Sequence, residues 1–298
     1  MTSLNKAEKK AICRNIGAEG AVLLKNNNNT LPLKKGTTVA AFGRTFYYCF
    51  KGGAGSGDVL GVFPINPAEA LPKNGVKIEE VSKSYYEEYN ALRYDEELMY
   101  WNRYDRKWVN SLPEAPVDLE TVKKSAENAD TAIISLGRSS GEWFDIPTVK
   151  GSYFLTDIEE ELLKNVTASF EKTVLILNYS GVMDITFAER YNIDAIVYTS
   201  MGGEETGNSV ADILVGNVSP SGKLTDSWCK LEDYITNDRI TELSIPYNEG
   251  IFVGYRYFDT FGIDPVYPFG FGLSYTDFDI NVKGVSVEKT CVNIDVEV

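Results

Sequence analysis

A loop that follows a predicted buried strand carries a carboxylate beside two aromatic side chains. Residues 137–146 read Gly-Arg-Ser-Ser-Gly-Glu-Trp-Phe-Asp-Ile, so small residues permit a tight loop and Glu142 stands between glycine and tryptophan. A carboxyl group stays protonated near neutral pH only where apolar cover or a nearby anion raises its pKa. Trp143 and Phe144 are suited to provide that cover. The segment is therefore a candidate for a general acid beside an aromatic surface.

One reaction that uses a carboxyl group of this kind is cleavage of a glycosidic bond. The reaction needs two carboxyl groups: one protonates the departing oxygen, and in retaining enzymes the other attacks the anomeric carbon from about 5–5.5 Å away. The alternative interpretation of Glu142 is a solvated loop residue, which is the usual fate of glutamate. Residue type and position alone leave both interpretations open.

The segments that would position this loop alternate between strands and helices. Apolar runs predict strands over residues 37–42, 76–81, 130–136, 173–177 and 194–198. Capping residues and helical patterns predict helices that begin at Asn66, with Pro67 at N1 and Glu69 at N3, and that cover residues 85–106, 118–128, 156–170 and 204–214. This alternation predicts an α/β fold with a mostly parallel sheet flanked by helices. Ligands bind beyond the carboxyl ends of such strands, and Leu136 ends the strand before the loop.

The last residues follow a different pattern. Residues 291–298 (CVNIDVEV) alternate apolar and polar side chains, which predicts an antiparallel strand with one solvated face. We therefore expect a first domain over residues 1–278 and the beginning of a second over residues 279–298.

Composition excludes several classes of function. The formal net charge of −14 disfavours nucleic acid and anionic membranes as partners, and the absence of histidine excludes His-based triads and disfavours a zinc site. No apolar run approaches the roughly 20 residues that span a bilayer, and residues 1–17 have the pattern of an amphipathic helix. Four cysteines without CxxC spacing predict buried free thiols in a cytoplasmic protein. We expect no metal and no cofactor.

Three long stretches resemble glycoside hydrolase family 3, the β-glucosidase family. Residues 18–33 (AEGAVLLKNNNNTLPL) resemble the opening of that family's α/β sandwich domain, and residues 197–224 resemble its last helix and exit turn. Residues 219–278, dense in Gly, Pro, Tyr and Phe, resemble the end of the same domain. The resemblance implies that residues 279–298 are the first strands of a fibronectin type III-like domain, a β-sandwich.

The resemblance also implies roles for residues of the Glu142 loop. Family members carry a Gly-Glu-Gly-x-Asp-Arg motif there, in which the glutamate is the acid/base; Glu142 matches it, and Asp145 matches the aspartate. Trp143 stands where glycine is common and Ile146 where arginine is common. Trp143, Arg138 and Asp145 are the candidate substrate-binding residues.

The second carboxylate is expected outside this chain. In the family it is an aspartate of a TIM barrel, beside a Lys-His pair. This sequence has no histidine and therefore does not hold that pair, and its pattern does not repeat eight times as βα units. The resemblance implies an inverted domain order, in which the barrel follows on the same chain or belongs to another chain. The expected reaction is hydrolysis of terminal β-D-glucosyl or related β-glycosyl residues. Oligomeric state is left open, with a homo-oligomer as one possibility.

Other functions compete with this interpretation. One alternative is a non-catalytic sandwich module that binds sugar or a partner chain. Another is nucleotide binding by residues 51–58 (KGGAGSGD), but their glycine spacing matches neither a P-loop nor G-x-G-x-x-G, which favours a structural loop. The aromatic segments 94–108 and 250–258 are better explained by packing than by sugar binding.

Overall fold

A mixed six-stranded sheet forms the centre of the computed structural model, which describes residues 4–53, 55–57, 59, 63–93, 113–141, 146–235, 244 and 246–298. Its strands are β1 (Val22–Asn26), β2 (Thr38–Phe42), β3 (Lys77–Ile78), β4 (Thr131–Arg138), β5 (Lys172–Tyr179) and β6 (Ala195–Thr199). The order is β1-β6-β5-β4-β2-β3; β1 is antiparallel to β6, and the other pairs are parallel. The predicted α/β class is confirmed.

The central strands are buried on both faces because helices flank the sheet. All of β4 except Arg138 is buried, as is all of β5 except Lys172. This burial explains why both sequences are nearly continuous apolar runs. The helices in the described part of the chain are α1 (Lys6–Glu19), α2 (Arg44–Tyr47), α3 (Pro67–Lys73), α4 (Glu80–Arg93), α5 (Leu119–Ala126), α6 (Asp157–Thr167), α7 (Phe187–Arg190), α8 (Thr206–Leu214) and α9 (Tyr255–Phe261).

Side-chain caps place the helix starts where the sequence predicts them. The Asp118 carboxylate accepts the Thr121 N–H over 2.7 Å at the start of α5. At the start of α6, Thr156 Oγ1 accepts the Glu159 N–H over 3.2 Å and Glu159 accepts the Thr156 N–H over 2.8 Å, which is a complete capping box. Such caps satisfy backbone donors that the helix itself cannot. The helix ends lie two and three residues before the predicted ends at 128 and 170.

The strand predicted over residues 76–81 is mostly wrong. Only β3, with two residues, is extended, and α4 begins at Glu80. The cause is Glu79, whose carboxylate accepts the N–H groups of Val81 and Ser82 over 2.7 Å each and so starts a helix. Of the helix predicted over residues 85–106, residues 85–93 belong to α4, and residues 94–106 lie outside the described residues.

A separate antiparallel hairpin ends the chain, as the alternating pattern predicts. It consists of β7 (Asn281–Glu288) and β8 (Cys291–Glu297). Three cross-strand apolar pairs are 48% to 70% exposed: Val282 with Val296, Val285 with Ile294, and Val287 with Val292. The division into domains at residue 278 stays a prediction.

The expectation of buried free thiols holds for only part of the cysteines. All four cysteines are free, but only Cys49 and Cys229 are buried; the prediction is wrong for Cys13 and Cys291, which are exposed on α1 and β8.

Within the ranges that the structure describes, no helix has both the length and the apolar character needed to cross a membrane.

Candidate active site

The candidate site begins where β4 and β5 end side by side. Gly137 pairs with Asn178 and Arg138 pairs with Tyr179 as the last partners of the two parallel strands. The Glu142 loop, residues 139–146, leaves this edge directly after Arg138. Residues 142–145, which include the predicted site residues Glu142, Trp143 and Asp145, lie outside the described residues. The described residues on both sides of these four, 139–141 and 146, are the part of the loop whose contacts are given below.

Two serines tie the first half of the loop to the chain after β5. The Ser140 N–H donates to Ser180 Oγ over 2.9 Å, and the Ser140 hydroxyl donates to the Ser180 carbonyl over 2.9 Å. The two hydroxyl oxygens are 2.8 Å apart. Backbone and side chain of Ser140 are thus held by the same residue.

Glycines let neighbouring segments approach this loop closely. A Cβ on Gly53 would lie 2.4 Å from the Ser140 carbonyl oxygen, and one on Gly181 would lie 2.7 Å from Ile146 Cδ1. Both distances are too short for any other residue without rearrangement. These contacts agree with the interpretation of residues 51–58 as a structural loop.

The predicted site residue Arg138 lies in a buried ion pair. Its Nη1 donates to Glu159 Oε1 over 2.6 Å and to the Gly137 carbonyl over 2.9 Å, and its Nη2 donates to Glu159 Oε2 over 2.5 Å. The Arg138 and Glu159 side chains are only 11% and 4% exposed. The structure therefore places the guanidinium against α6, and a contact from Arg138 to a substrate stays a prediction.

The surroundings keep the Arg138 side chain charged. Burial alone lowers its pKa, but Tyr179, whose ring centroid is 5.7 Å from the guanidinium carbon, and Glu159 outweigh burial and raise the pKa above its ordinary value. Burial in turn raises the pKa of the Tyr179 hydroxyl. The end of β4 thus carries a permanent positive charge that Glu159 balances.

A second buried charged group lies at the same end of the sheet. The Glu114 carboxylate accepts the Arg44 N–H over 2.9 Å, the Ala115 N–H over 2.8 Å and the Tyr86 hydroxyl over 3.0 Å. Burial raises the pKa of Glu114 and lowers that of Arg44, whose guanidinium lies over the Phe50 ring. This carboxylate positions the start of α2, directly after β2.

Sequence reasoning missed several residues that shape the site. They are Ser140, Ser180, Gly53, Gly181, Glu159 and Glu114. A usable signal exists for Ser180 and Gly181, since they follow the predicted strand 173–177 and the carboxyl ends of parallel strands meet at one edge. No comparable signal exists for Glu114, which reaches its partners from a loop.

Two cavities lie in the described part of the chain. One of about 570 Å³ is at the opposite, amino ends of the parallel strands, lined by Thr38, Thr131 and Lys172. The other, of about 190 Å³, is lined by Val182, next to Gly181, and by residues between 226 and 258 that include Asp226 and Phe252. Among the described residues no three His, Cys, Asp or Glu side chains group as metal ligands.

Comparison with known proteins gives one family. The family model described as "Glycosyl hydrolase family 3 C-terminal domain" matches residues 21–275. The chain is 39% identical to a β-glucosidase of Ruminococcus albus over 273 residues, covering 90% of this chain and 28% of that protein. It is 36% identical to β-glucosidase A of Butyrivibrio fibrisolvens, covering 87% of this chain and 34% of that protein.

Solved structures show the same fold. A β-glucosidase from Paenibacillus barengoltzii superposes with a TM-score of 0.89 at 32% identity, covering 99% of this chain and 33% of that one. β-Glucosidase 3B from Thermotoga neapolitana, in complex with glycerol, superposes with a TM-score of 0.87 at 33% identity, covering 99% and 42%. The chain thus spans 28% to 42% of the length of these relatives.

Proposed function

Because the chain belongs to the glycosyl hydrolase family 3 C-terminal domain family, we propose that it supplies the acid/base carboxylate of a β-glucosidase. The substrate is a terminal, non-reducing β-D-glucosyl residue, or a related β-glycosyl residue, of an oligosaccharide or aryl glycoside. The observation that carries the proposal is the Glu142 loop, which leaves the carboxyl end of β4 within the region that the family model matches.

The mechanism has two steps with retention of configuration. Glu142 protonates the departing glycosidic oxygen while a second carboxylate attacks the anomeric carbon and forms a glycosyl-enzyme. Glu142, now ionised, then removes a proton from the water that attacks the same carbon and releases the sugar. No metal or cofactor takes part in either step.

The second carboxylate belongs to a TIM barrel, on the same or another chain. The barrel also provides most of the pocket for the glycone, the sugar that is released. Trp143 and Asp145 are assigned to substrate binding, and a tryptophan in place of the glycine that is common there would narrow the aglycone side. A neutral sugar also fits a chain with a formal net charge of −14 better than an anionic ligand does.

The structure supports this proposal through the residues that flank Glu142. A catalytic carboxylate must be held near its productive position, because a misplacement of 1 Å costs about a hundredfold in rate. Ser140 is fixed to Ser180 on one side of Glu142, and Ile146 packs against Gly181 on the other.

The experiment is a Glu142→Ala substitution in the complete enzyme, with its barrel. With phenyl β-D-glucopyranoside as substrate, we expect kcat to fall by about 10²–10⁴-fold, the usual contribution of a general acid/base. Glu161→Ala, on the exposed side of α6, is the matched control and should keep wild-type activity. Unchanged turnover in Glu142→Ala would refute the assignment.

A second candidate function is a non-catalytic module that binds sugar or a partner chain. It is favoured by exposed apolar side chains, including Tyr247 at 77% and Ile251 at 81%. The two candidates differ in one measurement. The module predicts that Glu142→Ala leaves aryl-glucoside turnover unchanged in any assembly that contains this chain.

A further inference from the structure

Hydrogen bonds between Ser140 and Ser180 continue the connection between β4 and β5 after their backbone ladder ends. The last ladder pair is Arg138 with Tyr179, and the serine contacts follow two residues later on one strand and one residue later on the other. We infer that this serine pair is a positioning device for the acid/base loop. The inference rests on the proposed function, because Glu142 follows Ser140 by two residues.

One arrangement of protons satisfies all three contacts. The Ser140 hydroxyl donates to the Ser180 carbonyl, and Ser180 Oγ accepts the Ser140 N–H. The Ser180 proton is then free to bond the Ser140 oxygen, 2.8 Å away. Each serine therefore uses its hydroxyl as both donor and acceptor, so that an alanine at either position removes more than one bond.

Packing and hydrogen bonding restrain the loop in different directions. Gly53 lies against the Ser140 carbonyl and blocks movement toward residues 52–57. Gly181 lies against the Ile146 side chain and limits movement of Ile146 toward the chain after β5. Among the described contacts, the bonds to Ser180 hold Ser140 against the β5 side. Loss of these bonds therefore frees the loop to move away from β5 while the rest of the fold is unchanged.

The serine pair should affect catalysis more than folding. Both serines are partly exposed, so water replaces a lost partner and the net cost in stability is about 1 kcal/mol per bond. A general acid is more sensitive, since it must lie within hydrogen-bond reach of the departing oxygen. Ser140→Ala and Ser180→Ala should each lower kcat/KM for phenyl β-D-glucopyranoside about tenfold.

The leaving group separates a positioning role from a structural one. Phenolate is a poor leaving group and needs a proton from the acid, whereas 2,4-dinitrophenolate departs without one. The serine variants should therefore keep kcat/KM for 2,4-dinitrophenyl β-D-glucopyranoside within twofold of wild type. A variant that is only partly folded would lose activity on both substrates alike.

Matched variants complete the experiment in the complete enzyme. Ser139→Ala, which removes a single 3.3 Å bond to the Gly52 carbonyl, is the control and should be wild type on both substrates. Ser180→Thr keeps a hydroxyl at the same position and should restore phenyl-glucoside turnover. Equal loss on both substrates, no loss on either, or the same loss in Ser139→Ala would overturn the inference.

Glu142→Ala in the same assay distinguishes a failure of the serine inference from a failure of the proposed function. If it loses activity selectively on the phenyl glucoside while the serine variants do not, the serine inference fails and the proposed function stands. If Glu142→Ala itself shows no such selectivity, the proposed function fails.

Discussion

At the scale of single residues, the contacts of the Arg138 side chain do not follow from its position in the sequence. Its place directly after a strand and four residues before Glu142 makes it a candidate for binding substrate. In the folded chain both terminal nitrogens are engaged by Glu159, which is 21 residues away and also caps α6. The capping role of Glu159 is predictable from Thr156-x-x-Glu159. Its ion pair is not predictable, because it depends on how α6 lies across the sheet.

The ion pair gives a prediction about stability. Arg138→Met should lower the free energy of unfolding by about 3–5 kcal/mol, because Glu159 remains buried without its charged partner. The double variant Arg138→Met with Glu159→Gln should recover part of this loss, since glutamine removes the charge but still serves in a capping box. Urea denaturation of the wild type and both variants measures the difference. A double variant less stable than Arg138→Met would contradict the account.

A second prediction at this scale concerns the pH dependence of the stability that Asp118 contributes as an N-cap. The Thr121 N–H and hydroxyl stabilise the ionised Asp118 carboxylate and lower its pKa below the ordinary value of 3.8. A lowered carboxyl pKa contributes stability above the unfolded-state pKa and loses it as the pH falls through the folded-state pKa. Asp118→Ala should therefore cost about 1 kcal/mol at pH 7, the usual value of an N-cap, and less at pH 3.

The control for this prediction is Asp118→Asn. Asparagine keeps a capping oxygen but does not titrate, so its stability relative to Asp118→Ala should not change between the two pH values. Urea midpoints at pH 7 and pH 3 provide the comparison. An Asp118→Ala penalty that grows toward pH 3 would show that the carboxylate does not act as described.

At the scale of elements, local signals account for most of what the sequence predicts. Each of the five predicted strands overlaps an observed strand, because buried parallel strands need apolar runs that are easy to recognise. The starts of α3, α5 and α6 were predictable from the residues that cap them, Asn66, Asp118 and Thr156. Two strands were not predicted correctly, for different reasons. Glu79 starts a helix within residues 76–81, where a strand was predicted. The strand β1 was not predicted because its partner β6 lies far away in the sequence.

The turn between β2 and α2 gives a prediction at this scale. Gly43 has a φ of +92°, and a Cβ there would lie 2.1 Å from the Ser135 carbonyl oxygen of β4. Gly43→Ala should destabilise the chain by about 3 kcal/mol or more, because backbone strain and overpacking add. Gly36→Ala is the matched control: φ is +88° but a Cβ meets nothing within 4 Å, so only the strain of about 1 kcal/mol remains.

Thermal or urea unfolding of the two glycine variants tests this point. The account requires Gly43→Ala to be clearly the less stable of the two. Equal destabilisation would mean that contact with β4 contributes nothing and that conformation alone demands glycine. A stable Gly43→Ala variant would show that β2 and β4 pack less closely than the structure has them.

At the scale of the whole molecule, sequence patterns predict the architecture better than they predict the contacts around the Glu142 loop. Order of elements, family membership and the place of the Glu142 loop follow from sequence patterns. The restraints on that loop do not, since Ser180, Gly181 and Gly53 reach it from segments about 40 and 90 residues away. The pairing of Glu142 with a carboxylate outside these 298 residues stays a proposal.

Azide rescue of Glu142→Ala in the complete enzyme tests that pairing most directly, with 2,4-dinitrophenyl β-D-glucopyranoside as the substrate. This substrate forms the glycosyl-enzyme without an acid, so the intermediate accumulates when the general base for water is missing. Azide needs no base; it should restore turnover, and nuclear magnetic resonance should identify the product as β-D-glucosyl azide. No response to azide, or an α-configured product, would contradict the assignment of Glu142 as the acid/base of a retaining β-glucosidase.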